Sequence, residues 1–361
     1  MNLGYKSADP WSAAFAISGN YRKGISKMKF ALNISTHPGD QVIIGHDWNT
    51  AQGILQAEGF DGYELYPVGE HAWESIPAGM ILGMHLRFYP ILKPFLIEDT
   101  RRLLEIFGNE ETISTFYGGL TRESLIQNYR QQLALAQQLG CSYAVFHLAQ
   151  SEFDYIYSWR FPWNWRDTVD ICAELLNAVL VDSPFTGELL LENLWWPGSF
   201  RAIHAEEIEY ALSRISYARA AIVLDTGHLL NTNQDIVSES QGIAFLIDSV
   251  RSLGAMRQKI RGVHLTRSLS AEYVTQTRRM PSPATANGSF WDRYHQAIEH
   301  VDRIDQHDPF ENPAIAGLFE IIDPAYITYE FSYKSREEWL GKIRRQRRAM
   351  AGVHSRSEKQ S

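Results

Sequence analysis

Short runs of four to six apolar residues, separated by turn and charged residues, recur along this chain. Such runs read as strands buried on both faces, because a half-exposed strand would alternate polar and apolar positions. They predict strands over residues 29–34, 62–65, 81–86, 143–147, 188–192, 221–225, 262–265 and 327–330. Between them, apolar residues fall at helical spacing, which predicts helices over 49–58, 121–139, 166–180, 205–213, 241–253 and 336–350. Strand and helix in alternation predict an α/β chain closed into a (β/α)8 TIM barrel. The irregular stretch 268–323 contains Pro281, Pro283, Gly288, Pro309 and Pro313, and is expected to form an insertion capping the mouth between strands 7 and 8.

Composition narrows this picture only a little. Residues 28–350 read as one domain, with 1–27 an N-terminal extension outside the fold and 351–361 a disordered tail. The net charge of −8 disfavours a nucleic-acid partner, since the overall field repels polyanions. Cys141 and Cys172 are too few for a disulfide framework. No apolar stretch approaches the roughly 20 residues needed to span a bilayer. Asp9-Pro10 and the lack of a basic leader argue against a signal peptide, so a cytoplasmic location is the default expectation.

Candidate chemistry enters at the strand ends. "LLLEN" closes on Glu192, "AIVLDTGH" on Asp225 and His228, "IRGVHL" on His264, "YITYEF" on Glu330, and "CSYAVFHL" on His147. One metal-competent residue at a strand end means little, but five such strands point to one site at the C-terminal mouth of a barrel. Glu192, Asp225, His264 and Glu330 supply three oxygen ligands and one nitrogen, a set suited to Mn²⁺, Mg²⁺, Co²⁺ or Zn²⁺. Burying four ionisable groups together without a cation would be costly. Glu192 and Glu330 lie three strands apart and are the expected acid/base pair, moving a proton to and from a metal-chelated α-hydroxy carbonyl. His228 is expected to bind substrate or a second metal. Glu64 reads as a structural hydrogen-bonding group.

"GFDGYELYP", "LENL", "VLDTGH", "VHL" and "YEF" resemble the xylose isomerase-like barrel superfamily, over roughly residues 28–350. That group holds sugar and sugar-phosphate isomerases and epimerases, and the endonuclease IV type of nuclease. The isomerases imply one metal on Glu192, Asp225, His264 and Glu330. The nuclease pattern implies up to three metals and adds His85, His147, His228, Asp305 and His307. "ENLWWPGS", "DTGHLLN" and "HLTRSLS" depart from the nuclease companions, and Asp305 follows His264 at an unusually long interval.

Trp159, Trp163 and Trp165 follow strand 4, and Trp195 and Trp196 follow strand 5, where they can stack on a sugar ring, pack a cap or form a homodimer contact. Arg267 is a candidate for an anionic substrate group, with an ordinary ion pair as the bland alternative; Arg87 is read the same way. The favoured expectation is a metal-dependent sugar or sugar-phosphate isomerase or epimerase with a carbohydrate substrate and manganese or a related ion. A multinuclear phosphoester hydrolase comes second, and a non-catalytic metabolite-binding barrel third.

Overall fold

The computed structural model describes residues 28–69, 71–278 and 288–358. Eight parallel strands close into a barrel in chain order. They are β1 (Lys29–Ser35), β2 (Gly62–Tyr66), β3 (Ile81–His85), β4 (Tyr143–His147), β5 (Glu188–Glu192), β6 (Ala220–Asp225), β7 (Ile260–His264) and β8 (Tyr326–Tyr329). Every predicted strand is present, with ends displaced by at most two residues. The six predicted helices appear as Trp48–Glu58, Arg122–Gln138, Trp165–Leu180, Ala205–Arg214, Glu239–Ser252 and Arg336–Ala349. Among the described residues, no helix is long and apolar enough to cross a membrane.

The strands are buried almost end to end, as their unbroken apolar runs require; β3 is buried at all five positions. Inside the barrel, Ala31, Leu82, Val145, Leu190 and Val223 form an apolar layer with the rings of Tyr143 and Tyr326. Gly83 makes room for this layer: a Cβ there would lie 2.1 Å from the Tyr143 ring. Above the layer, the Tyr143 hydroxyl donates to Glu64 (2.7 Å), and Thr328 donates to the same oxygen (2.9 Å). This polar floor is where the apolar filling stops and the mouth begins.

Two regions depart from expectation. The sequence predicts a disordered tail over 351–361, yet Ala351–Glu358 is a helix, and 359–361 lie outside the described residues. Val353 and His354 are buried, and the His354 ring stacks on Phe30 at 3.8 Å, so the segment has apolar surface to cover. The helix escapes a periodicity reading because it is short and mostly polar. The second region joins β7 to β8. Its described parts are the helices Ala271–Thr277 and Phe290–Ile304 and the 3-10 turn Pro313–Glu320. Pro281, Pro283 and the extension 1–27 lie outside the described residues.

Candidate metal centre

Strand register decides which side chains meet. β4 and β5 pair with His147 beside Glu192, and β6 and β7 pair with Asp225 beside His264. His264 in turn pairs with Thr328, so Glu330 emerges two residues further along, just past the end of β8. Seven of the nine predicted ligands lie at or within three residues of the ends of β3 to β8. Asp305 and His307 arrive from the β7–β8 connection. An antiparallel bridge between Arg267 and Asp308 holds that segment against the mouth (N–O 2.7 and 3.0 Å). His307 adopts a left-handed backbone (φ 48°), a conformation that His tolerates better than most residues.

Glu192 lies at the centre and is 1% exposed. Its Oε2 is 3.1 Å from His85 Nε2 and 3.3 Å from His147 Nε2. Its Oε1 is 3.1 Å from His264 Nδ1 and 3.6 Å from His228 Nδ1. His264 Nδ1 also lies 2.9 Å from Glu330 Oε2, while its Nε2 meets Glu64 at 3.1 Å. On the far side, His228 Nε2 is 3.0 Å from Asp305 Oδ2, and His307 Nε2 is 3.4 Å from the same atom.

The Asp-x-x-His spacing has a local cause. Asp225 caps the short helix Thr226–Leu230, and its Oδ1 accepts the His228 N–H at 2.5 Å. That bond fixes Oδ1 and leaves Oδ2 buried with no hydrogen-bond partner among the described residues. Asn193, next to Glu192, locks the two strand ends together by bonding the Asp225 backbone N–H and carbonyl (2.8 and 3.1 Å). Its own carbonyl lies 2.7 Å from His228 Nδ1, and the Leu86 carbonyl lies 3.0 Å from His85 Nδ1. An N–H donated to a carbonyl sets the tautomer and presents the other ring nitrogen as a free ligand. Glu64 does the same for His264 from below.

The charges are strongly coupled. Burial alone would raise Glu192, but the imidazoles of His147 and His264 hold its carboxyl well below the usual range. Asp225 is pushed up to about 7, chiefly by burial. Burial opposes charge on His228 and His264 too, yet the carboxylates around them raise both well above an ordinary histidine. His307 is also raised, by Asp305 and Glu330 against burial. His147 alone among these imidazoles goes down, to about 3, again through burial.

Three overlapping groups at the mouth can each hold a cation. They are His85, His147 and Glu192; Glu192, Asp225, His264 and Glu330; and Asp225, His228 and His307, each with ligand atoms within 4.8 Å of one another. A fourth, Glu64 with His85 and His264, lies toward the polar floor. The donor set fits divalent ions, and the unpartnered Asp225 oxygen is the kind of buried acceptor a cation would satisfy.

The remaining predicted residues divide. Trp195 and Trp196 line the cavity over the centre, whereas Trp159, Trp163 and Trp165 do not. Arg267 stays away from the cavity, with its nearest carboxylate Glu239 at 3.7 Å. The sequence offers Arg267 for an anionic substrate, but it is not among the residues that line the cavity. Within the stretch expected to cap the mouth, the sequence reading singled out no wall residue. Tyr294, Ala297, Ile298 and Val301 line the cavity at i, i+3, i+4, i+7 spacing, a signal present in the sequence.

A xylose isomerase-like TIM barrel family model matches residues 53–316, from before β2 to beyond β7. The chain belongs to the xylose isomerase-like TIM barrel family. Glu330 lies outside the matched stretch but on the same closed barrel. No curated protein matches the sequence. Among solved structures, this family member is similar to an endonuclease IV from Thermus thermophilus, at 14% identity and TM-score 0.50, covering 90% of this chain and 99% of that one. It is also similar to a D-tagatose 3-epimerase-like protein (14% identity, TM-score 0.45, 91% and 99% covered). A xylose isomerase domain protein from Planctomyces limnophilus is similar too (14% identity, TM-score 0.46, 92% and 98% covered). At these identities the likeness is one of fold.

Proposed function

We propose that this chain is a multinuclear divalent-metal hydrolase that cleaves a small phosphoester in a closed pocket. The observation that carries the reading is Glu192, whose Oε2 faces His85 Nε2 and His147 Nε2 while its Oε1 faces His264 Nδ1. A carboxylate so placed suits bridging between two cations. It is poorly placed as a free acid or base, because neither oxygen is left to reach a substrate carbon. Asp225 plays the same part between the second and third groups, with one oxygen held as a helix cap and the other unpartnered.

Bound cations would polarise the ester oxygen and acidify a water to near neutrality. The chain's own residues do the rest. His85 and His147 would complete one position, and His307 with His228 another, with Asp305 beside both imidazoles. Asn193 and the Leu86 carbonyl hold the imidazoles in the tautomer that presents a lone pair inward. Trp195 and Trp196, 2% and 3% exposed, exclude bulk water from the same cavity. A long polyanion is disfavoured, since no Lys or Arg among the described residues lines the cavity.

The sugar isomerase reading retains one supporting observation, the four-ligand group of Glu192, Asp225, His264 and Glu330. Metal content separates the two. After reconstitution with Zn²⁺ or Mn²⁺, the chain is expected to bind two or three ions. Fewer ions should remain when His147→Ala and His307→Ala are combined, with loss of aryl phosphate or phosphodiester hydrolysis. A single ion per chain, unaffected by the two substitutions, would sink the hydrolase and restore the isomerase.

A further inference from the structure

The cavity above the metal centre has two unlike ends. Its floor is the carboxylate–imidazole cluster; its walls are apolar. Phe88, Pro90 and Ile91 contribute from the loop after β3, and Phe153 and Ile156 from the short helix after β4. Leu194 and Trp196 come from the loop after β5. The helix Phe290–Ile304 closes the space with Ala297, Ile298 and Val301. The whole encloses about 410 Å³, room for a small molecule.

Several polar groups along the walls are already occupied, although the Trp195 and Trp196 Nε1 atoms are buried with no hydrogen-bond partner among the described residues. Asn33 gives Nδ2 to the Phe331 carbonyl (3.0 Å) and takes the Phe331 N–H on Oδ1 (3.0 Å). Asp40 accepts both the Ser35 hydroxyl (2.6 Å) and its N–H (2.8 Å). Ser151 donates to the Glu152 carbonyl (3.1 Å), and the Glu152 carboxylate is held by Arg102. A polyhydroxylated ligand would lose its water and find few replacement partners beyond the two indole N–H groups and the Tyr294 hydroxyl, at a cost for each unmet hydroxyl. A second phosphate would find no Lys or Arg among the described wall residues.

We infer that the pocket selects substrates whose non-reacting part is uncharged and apolar, of aryl or branched-alkyl size, held between Trp196, Phe88 and the cap helix. This rests on the proposed hydrolase only for the reacting ester; the wall chemistry stands apart from it. The exposed end of the cap face, Ile298 at 41%, marks where such a ligand enters.

Two phosphonates with one headgroup and different tails make the test. Benzylphosphonate and 2,3-dihydroxypropylphosphonate are titrated calorimetrically into the full-length Zn²⁺-loaded chain. Burial of one aromatic ring predicts benzylphosphonate binding at least about thirtyfold more tightly. Ile298→Lys, at an exposed position that the fold tolerates, should lower that ratio severalfold; Ala297→Leu, which fills the wall without adding charge, should lower affinity for the benzyl ligand. Equal or tighter binding of the dihydroxy ligand, or a ratio indifferent to both substitutions, overturns the inference. An intact aryl preference without phosphoester turnover or multiple metals would overturn the hydrolase and leave the inference standing.

Discussion

Two sets of histidines in this protein have opposite chemistry. At the barrel mouth, His228, His264 and His307 face carboxylates and are held above the ordinary imidazole range. Away from it, His300 and His354 are buried and hydrogen-bond to neutral groups, with Arg303 and Arg347 adding a like charge nearby. His300 Nδ1 lies 2.8 Å from the Tyr273 hydroxyl and its ring stacks on Tyr157; His354 Nε2 lies 2.9 Å from the Tyr329 hydroxyl. Burial dominates there and pushes both down, His354 to about 4. The comparison separates packing from chemistry. A histidine among aromatics has its polar atoms satisfied in the neutral form and asks for nothing more. Those at the mouth are crowded with acids in a way that packing does not require, and a cation resolves the crowding.

The harshest way to break that contrast is to remove the central acid. Glu192→Gln keeps the shape but withdraws the charge that His85, His147 and His264 face. Metal content should fall by about two ions per chain, and any hydrolytic activity by at least about a thousandfold. Mass spectrometry of the loaded protein and a rate assay report the two effects separately. A variant that still bound its full complement would show that Glu192 neutralises imidazoles rather than bridging metals.

A second test uses protons. In the metal-free chain the surrounding carboxylates make His228, His264 and His307 keep their protons to higher pH than an ordinary imidazole, and a cation must displace those protons to bind. Metal loading near neutral pH should therefore release protons from these sites, and affinity should keep rising with pH beyond the ordinary histidine value of 6.5. Calorimetry in buffers of different ionisation enthalpy counts the protons. A pH-independent affinity with no release would mean that the imidazoles are already neutral. The two sets of histidines would then differ less than their surroundings imply.

Much of this was legible in the residues. Unbroken apolar runs ending in Glu192, Asp225, His264 and Glu330 located the strands and the mouth together, because a parallel sheet buried on both faces has no alternation to confuse the reading. The relation between the ligands was not legible. That Glu192 faces three imidazoles depends on the β4–β5 and β6–β7 registers, which periodicity does not supply. Asp305 looked too distant from His264, since the chain spends the interval on the helices Ala271–Thr277 and Phe290–Ile304. Glu64 read as structural and does bond Tyr143 and Thr328, but it also meets His264, a contact across 200 positions of sequence. Arg267 illustrates the opposite case: proximity to a ligand in sequence suggests the site, yet it does not line the cavity.

The smallest effect concerns the quiet set. Unfolded, His354 titrates near 6.5; folded, near 4. Between those values the unfolded chain binds the extra proton, so stability rises with pH through the window. The contribution is complete above about pH 6.5 and is lost progressively toward pH 4. The full shift would correspond to roughly 3 kcal/mol, but His354 sits on the terminal helix Ala351–Glu358, which can undock locally before the barrel unfolds. A loss of about 1–2 kcal/mol between about pH 7 and pH 5 is therefore expected, read by urea denaturation. His354→Phe keeps the ring against Phe30 and removes the titration, so its stability should fall less than wild type over the same interval. Parallel pH profiles for the two would place His354's proton in solvent rather than in the packed interface, and would erase the distinction between satisfied and crowded histidines at its quiet end.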